Sequence, residues 1–174
     1  MPQNATDIDR VAFALATERD GSAFYKDATE RTQHKLAGAA FELLSKEELR
    51  HVALIEALGR RLKGKGGPVS ADSPNLRKLE LGVKTIYEKA GEKKAKGSLD
   101  PVAAYEEAVS LEQKISALYA GYIKESESPE ARHLFTVLYR EEQDHLNLLE
   151  DMLAYLTKPD QWFIDRDMTL LDGG

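Results

Sequence analysis

The chain has 174 residues, of which 31% are charged and 42% hydrophobic, and its formal net charge is −6. This composition is typical of one soluble globular domain, and the acidic excess argues against nucleic acid as a partner, because phosphate binding needs clustered Lys and Arg. The chain contains no cysteine, which excludes disulfides, iron–sulfur clusters and thiolate metal sites on it. Any metal must therefore bind to Glu, Asp or His.

No apolar stretch approaches the roughly 20 residues that a membrane-spanning helix needs. The first ten residues lack the basic run and apolar block of a signal peptide. We therefore expect no membrane partner and a cytoplasmic location.

Helical periodicity predicts two helices in the first half of the chain, over residues 7–31 and 35–62. Thr6 or Asp7 can cap the first helix. The predicted buried side of the second helix carries Leu36, Ala40, Leu43, Leu44, Ala53, Leu54 and Leu58.

Residues 63–100 are rich in Gly and Lys and predict a long crossover with a shorter helix in its middle. A connection of this length can traverse a whole bundle, as the ferritin-like topology requires. It would also permit helix pairs to be exchanged between protomers.

Two further helices are predicted after the crossover, over residues 101–125 and 129–156. Asp100-Pro101 and Ser128-Pro129 open them, each a capping residue followed by proline at the first helical position. The tail, residues 157–174, contains Trp162 and Phe163 and is expected to pack on this or a neighbouring subunit. The sequence thus predicts a single all-α domain, residues 1–174, that forms a ferritin-like antiparallel four-helix bundle.

The two halves of the chain repeat one pattern at an offset of 94 residues. Residues 14–56 share thirteen identities with their counterparts, which indicates an internal duplication. The repeated residues include six candidate metal ligands: Glu18, Glu48 and His51 in the first half, and Glu112, Glu142 and His145 in the second.

The spacing of these residues predicts one shared site. Glu48 and His51 are three residues apart on a helix and therefore project from one face, as do Glu142 and His145. The midpoint between Glu18 and Glu48 is residue 33, inside the first predicted turn, so the two glutamates stand opposite each other in the hairpin. The second hairpin has the same geometry about residue 127.

Four enclosed carboxylates would be costly without compensation, and two divalent ions cancel their charge. Carboxylate and imidazole ligands in four-helix symmetry suit iron or manganese better than zinc or copper. A Glu on each of two helices and Glu-x-x-His on each of the others is a known di-iron arrangement. We therefore expect two non-haem metal ions, either iron or manganese or a mixed pair of the two.

Several neighbouring residues have predicted roles around this site. Tyr25 and Tyr119 each follow a ligand glutamate by seven residues, so each phenol can hydrogen-bond a ligand carboxylate and orient it. The alternative is that both are core tyrosines. Glu47 and Glu141 point about 100° away from the ligands, which favours a solvated or supporting role over ligation. The two remaining histidines, His34 and His133, are interpreted as surface residues at helix starts.

At these residues the chain resembles the rubrerythrin-like branch of the ferritin-like superfamily, over roughly residues 7–156. The specific blocks are Glu18 to Tyr25, Phe41 to His51, Glu112 to Tyr119 and Phe135 to His145. The resemblance implies a dimeric non-haem di-iron bundle that reduces hydrogen peroxide or oxidises ferrous iron. It implies that all six candidates are ligands, with Glu48 and Glu142 bridging both ions.

Three features depart from related proteins. Rubrerythrins carry a four-cysteine rubredoxin module, which this cysteine-free chain lacks. They also usually carry a further glutamate where this chain has Ile115. The ligand set is also similar to that of bacterioferritin, but Leu49 stands where the haem-binding methionine would be, so no haem is expected.

Three functions remain open at this point. The first is a di-iron oxidoreductase of peroxidase or ferroxidase type, which uses hydrogen peroxide or dioxygen and an external electron donor. The second is iron storage or detoxification, as in ferritins. The third is a metal-dependent structural or interaction module. A homodimer is expected, with helix swapping as one form of it.

Overall fold

In the computed structural model, the described residues are 5–64 and 99–164, and four long helices account for most of them. They are α1 (Asp7–Arg31), α2 (Lys35–Leu62), α3 (Pro101–Glu125) and α4 (Pro129–Thr157). The predicted bounds agree, except that α4 ends one residue later than expected. The crossover helix and the end of the tail were predicted for residues that lie outside the described ranges.

The helices begin where side chains satisfy the first free backbone N–H groups. Thr6 and Asp9 form a capping box at α1, and the Nδ1 atom of His34 accepts a hydrogen bond from the Ala37 N–H at α2. The Asp100 and Ser128 side chains cap α3 and α4, each followed by proline. The short segments that contain His34 and Ser128 are the places where the chain reverses, between α1 and α2 and between α3 and α4.

Contacts between the two hairpins fix the direction of the helices. Glu18 on α1 meets Tyr119 on α3, and further along the same pair Tyr25 meets Glu112. The earlier residue of α1 meets the later residue of α3, and the later residue of α1 meets the earlier residue of α3. The two helices are therefore antiparallel. Since α2 and α4 reverse from them, the order is up, down, down, up, and the fold is the predicted all-α, ferritin-like bundle.

The buried face of α2 has a strict alternation of four-residue and three-residue steps. It carries Ala37, Phe41, Leu44, Glu48, His51, Ile55 and Leu58, and each position has a buried counterpart 94 residues later on α4. The first five counterparts are identical, whereas Leu149 and Met152 stand in place of Ile55 and Leu58. The predicted buried face of α2 was therefore partly wrong. Leu36 and Leu43 are 48% and 50% exposed, and Ala53 is exposed as well.

Two apolar layers enclose the middle of the bundle. One layer contains Phe13, Ile115 and Phe135, and the other contains Phe41, Tyr105 and Leu149. Beyond α4, residues 159–164 are helical, and Trp162 packs on Tyr155 and donates a hydrogen bond to Asp151. Of the two expected places, this chain or a neighbouring subunit, this part of the tail packs on this chain. No helix among the described residues combines the length and apolar character that crossing a membrane requires.

Candidate metal centre

All six predicted ligands lie on the inner faces of the bundle, between the two apolar layers. Five of them are fully buried, and His145 is only 7% exposed. Each helix contributes at its midpoint: α1 and α3 one glutamate each, and α2 and α4 a Glu-x-x-His pair each. The duplication thus places two equivalent sets of donors at one level of the fold.

These side chains form two overlapping groups, and the donor atoms within each group lie within 4.8 Å of one another. The first group is Glu18, Glu48, His51 and Glu142, and the second is Glu48, Glu112, Glu142 and His145. Glu48 and Glu142 belong to both. Glu18 and Glu112 each belong to one group.

The two histidines face the shared carboxylates with the same ring atom. His51 Nδ1 lies 3.1 Å from Glu142 Oε1 and 3.6 Å from Glu48 Oε2. His145 Nδ1 lies 3.3 Å from the other oxygen of each carboxylate. Each shared carboxylate therefore presents one oxygen to each histidine, which is the disposition that a ligand bridging two ions needs.

Several buried oxygens in this cluster have no hydrogen-bond donor in the structure. They include both oxygens of Glu48, both oxygens of Glu142 and Oε2 of Glu112. Buried carboxylate oxygens without donors are costly, because they lose hydration and gain nothing in return. Cations between the two groups would remove that cost, so the donor set fits a pair of metal ions.

The pKa shifts show how the metal-free cluster balances its charge. Burial, followed by repulsion from Glu48 and Glu142, raises the pKa of both Glu18 and Glu112 well above its usual value. Burial also opposes ionisation of Glu48 and Glu142, but close contacts with the histidines and with Glu18 and Glu112 hold their pKa below the usual value.

The histidines carry the compensating charge. Burial alone would lower the pKa of His145, but its contacts with Glu142 and Glu48 outweigh burial and raise the pKa to about 9. The same balance raises the pKa of His51. The raised pKa values favour the protonated forms of the two histidines and the two terminal glutamates, where cations would otherwise bind.

The two predicted tyrosines cross the bundle to opposite glutamates. The Tyr25 hydroxyl donates to Glu112 Oε1, and the Tyr119 hydroxyl donates to Glu18 Oε1. Both phenols are buried, so these bonds form away from water. Each tyrosine thus orients the terminal glutamate of the other half, as a supporting group around a metal site would.

Outside the cluster, the arrangement around the two histidines differs. Glu141 Oε2 lies 3.0 Å from His51 Nε2, a close ion-pair contact although the oxygen does not lie along the N–H bond. Arg50 contacts both Glu141 and Glu47 at 2.9 Å. Of the two roles considered for Glu141, the structure favours the supporting one. The contacts of Arg50 with the two glutamates were not predicted from the sequence. The sequence indicates Arg50 only through the repeat, in which its counterpart is Asp144 rather than another arginine.

The remaining predicted residues lie away from the cluster. Ile115 is buried among apolar side chains one turn from Glu112. His133 is exposed, and His34 is half-buried at the start of α2, where its ring caps the helix.

The comparison with protein families rests on the same stretch of chain. A family model described as Rubrerythrin matches residues 9–153. This range covers all four helices except the first two residues of α1 and the last four of α4. The chain belongs to the rubrerythrin family. Rubrerythrins are ferritin-like di-iron proteins, and the buried carboxylate and histidine cluster of this member can bind metal. No curated protein and no solved structure matches the chain significantly.

Proposed function

We propose that this rubrerythrin binds two non-haem iron ions and acts as an oxidoreductase, with hydrogen peroxide or dioxygen as the oxidant. The observation that carries the proposal is the sharing of Glu48 and Glu142 between two donor groups. Ions held by common carboxylates stand close enough to act on one small oxidant. When bound, two ferrous ions supply one electron each, the two that reduction of one hydrogen peroxide to two waters requires.

The protein residues hold and insulate this pair. Glu18 with His51 and Glu112 with His145 would complete the two coordination sets. Tyr25 and Tyr119 fix the terminal carboxylates through their hydrogen bonds. The apolar layers keep bulk water away from the site, which strengthens electrostatic interactions inside it.

The electrons that restore the ferrous state must come from outside the chain. A rubredoxin-type centre needs four cysteines, and the sequence has none. Turnover therefore requires an external reductant or a partner redox protein. In single-turnover experiments, the stored ferrous pair is the only source of electrons.

The proposal is tested by anaerobic titration of the ferrous-loaded protein with hydrogen peroxide. Ferric iron bound by carboxylates absorbs in the near-ultraviolet, so the titration has an optical endpoint. We expect consumption of one peroxide per two ferrous ions without hydroxyl radical, because the two electrons are delivered together. A parallel titration with dioxygen tells which oxidant reacts faster.

A variant with Glu48→Gln and Glu142→Gln is the control, since it loses both shared carboxylates. Any iron it holds should react singly and release radicals that a spin trap detects. An absence of optical change in the natural protein with either oxidant would sink the proposal.

Iron storage is distinguished by particle size. A mineral store needs a closed shell of many subunits, whereas the proposed oxidoreductase needs only a small assembly such as the expected homodimer. Light scattering separates the two. A third reading, as a structural module, would be favoured if Glu18→Ala with Glu112→Ala abolished binding to a partner protein.

A further inference from the structure

The two histidines of the cluster are supported unequally. His51 Nε2 contacts Glu141, and Glu141 in turn contacts the Arg50 guanidinium at 2.9 Å. The described part of the chain has His145 in ion-pair contact only with the buried carboxylates Glu48 and Glu142. The His51 imidazole therefore has a carboxylate at Nε2, on the side away from the cluster. His145 has no such carboxylate in this part of the chain.

The repeat explains where the symmetry fails. The counterpart of Glu141 is Glu47, which by symmetry would stand behind His145. Glu47 instead pairs with Arg50, which contacts it through both Nε and Nη2 at 2.9 Å. The counterpart of Arg50 is Asp144, so the second half of the repeat supplies no such cation. Arg50 thus contacts both Glu47 and Glu141 and holds these two equivalent residues on one side of the site.

This arrangement has a consequence for the ring of His51. An anion at Nε2 favours the tautomer with the proton on Nε2, which leaves Nδ1 free to bind a cation, and it raises the basicity of Nδ1. His51 Nδ1 is the atom that lies 3.0 Å from Glu18 and 3.1 Å from Glu142. Arg50 holds Glu141 in place, and the Arg50 side chain is 45% exposed. A partly exposed residue thus acts, through Glu141, on the buried ligand His51.

We propose that Arg50 and Glu141 are positioning residues that make the two half-sites inequivalent, so that the half-site of Glu18 and His51 binds divalent metal more tightly. This inference rests on the proposed two-metal site. It does not depend on the redox activity of that site. The half-site of Glu112 and His145 is the weaker one and exchanges its ion first.

The test uses isothermal titration of the full, chelator-treated chain with Co²⁺. His145→Ala isolates the His51 half-site, and His51→Ala isolates the other. We expect the first variant to bind one Co²⁺ at least about tenfold more tightly than the second. Urea unfolding of each metal-free variant verifies that the bundle is intact.

Two matched substitutions then assign the difference. In the His145→Ala background, Glu141→Gln should weaken Co²⁺ binding by about 10- to 100-fold. It should also shift the visible d–d absorption of the bound Co²⁺, because the ligand strength of His51 changes. In the His51→Ala background, Glu47→Gln should change the affinity by less than about threefold.

Arg50→Met provides an independent arm, since it leaves both glutamates in place. It should weaken the His51 half-site in the same direction as Glu141→Gln and leave the His145 half-site within about threefold.

Each outcome bears on a different statement. Equal affinities of the two half-sites, or no effect of Glu141→Gln on affinity and spectrum, would overturn the inference while leaving the proposed function intact. An equal effect of Glu47→Gln on the His145 half-site would overturn it as well. The expected asymmetry in a protein whose ferrous form is inert to both hydrogen peroxide and dioxygen would support the inference and reject the function. No Co²⁺ binding to any form would reject both.

Discussion

Tyr119 on α3 donates its phenolic hydrogen bond to Glu18 on α1, and the repeat returns the same bond in the other direction, from Tyr25 to Glu112. Each half of the duplicated chain thus orients the terminal glutamate of the other half. The two hairpins also meet through the apolar layers on either side of the site, so the geometry of the site depends on how the hairpins pack. Folding and the construction of the site are therefore coupled.

The first prediction concerns this hydrogen bond. Tyr119→Phe removes the donor and leaves a buried Glu18 oxygen unsatisfied, which should cost about 1–3 kcal/mol of stability in the metal-free protein. It should also lower affinity for divalent metal about tenfold, because Glu18 loses its orientation. Urea unfolding and metal titration measure the two effects.

Tyr105→Phe is the matched control for Tyr119→Phe. The buried Tyr105 hydroxyl donates to the Ala37 carbonyl at 3.2 Å, away from the metal cluster. This substitution should reduce stability by a similar amount without changing metal affinity. Equal metal affinities of the natural protein and the Tyr119→Phe variant would show that the tyrosine is only a core residue.

The second prediction separates bridging from terminal ligands. Glu18→Gln or Glu112→Gln removes a donor from one group only, so each variant should retain about one tightly bound divalent ion per chain. Glu48→Gln or Glu142→Gln removes a donor from both groups, and neither variant should retain two ions. Metal analysis after gel filtration gives the stoichiometry.

Glu150→Gln is the control for this series, because Glu150 also recurs in the repeat but is exposed on α4. It should bind metal as the natural protein does. A full complement of two ions in both bridging variants would contradict the assignment of Glu48 and Glu142.

The sequence was sufficient for the helix bounds and for the level of the site. Caps such as Thr6 and Ser128 mark the starts directly, and turn arithmetic brings Glu18 opposite Glu48. The buried face of α2 was harder to assign. A prediction from hydrophobicity alone assigns the polar residues Glu48 and His51 to the exposed side, although both lie on the buried face. The buried face was therefore predicted too close to Leu43.

Arg50 illustrates a different limit of sequence reasoning. Its contact with Glu141 joins α2 to α4, and it depends on how closely these helices approach and on which rotamers their side chains adopt. The periodicity of residues within one helix predicts neither the distance between two helices nor the rotamers of their side chains. The mismatch between Arg50 and Asp144 is visible in the repeat, but only the structure shows that the arginine reaches across.

The third prediction concerns pH. The raised pKa values of His51, His145, Glu18 and Glu112 mean that the folded metal-free site holds protons that the unfolded chain gives up more readily. For His145, the stabilisation is fully present below the unfolded pKa of about 6.5. It is lost as pH rises through the folded pKa of about 9. The metal-free protein should therefore be less stable at pH 9 than at pH 6.5, by on the order of 1 kcal/mol or more.

Metal binding should show the opposite dependence. The ions displace these protons, so affinity for Co²⁺ should rise with pH, and binding should release protons from the groups with a raised pKa. Calorimetry in buffers of different ionisation enthalpy counts the released protons. A proton count near zero at pH 7 would show that the metal-free cluster is already deprotonated.

The fourth prediction tests Ile115, where rubrerythrins usually carry a further glutamate. The side chain is 6% exposed and packs in an apolar layer, one turn beyond Glu112. Ile115→Glu should destabilise the metal-free protein by about 3 kcal/mol or more, since it removes apolar burial and encloses another carboxyl group. Ile115→Met conserves volume and should cost less than about 1.5 kcal/mol. Urea unfolding compares the two variants.

The informative comparison is between Ile115→Glu and Ile115→Gln with and without metal. Both variants bury a polar group of the same size, so their metal-free stabilities should be similar. Only the glutamate can supply a further anion to the ion in the group of Glu112 and His145. Its gain in unfolding free energy on adding Co²⁺ should therefore exceed that of the glutamine variant. Equal gains would mean that a side chain at position 115 does not reach the ions, and that the site is confined to the six repeated ligands.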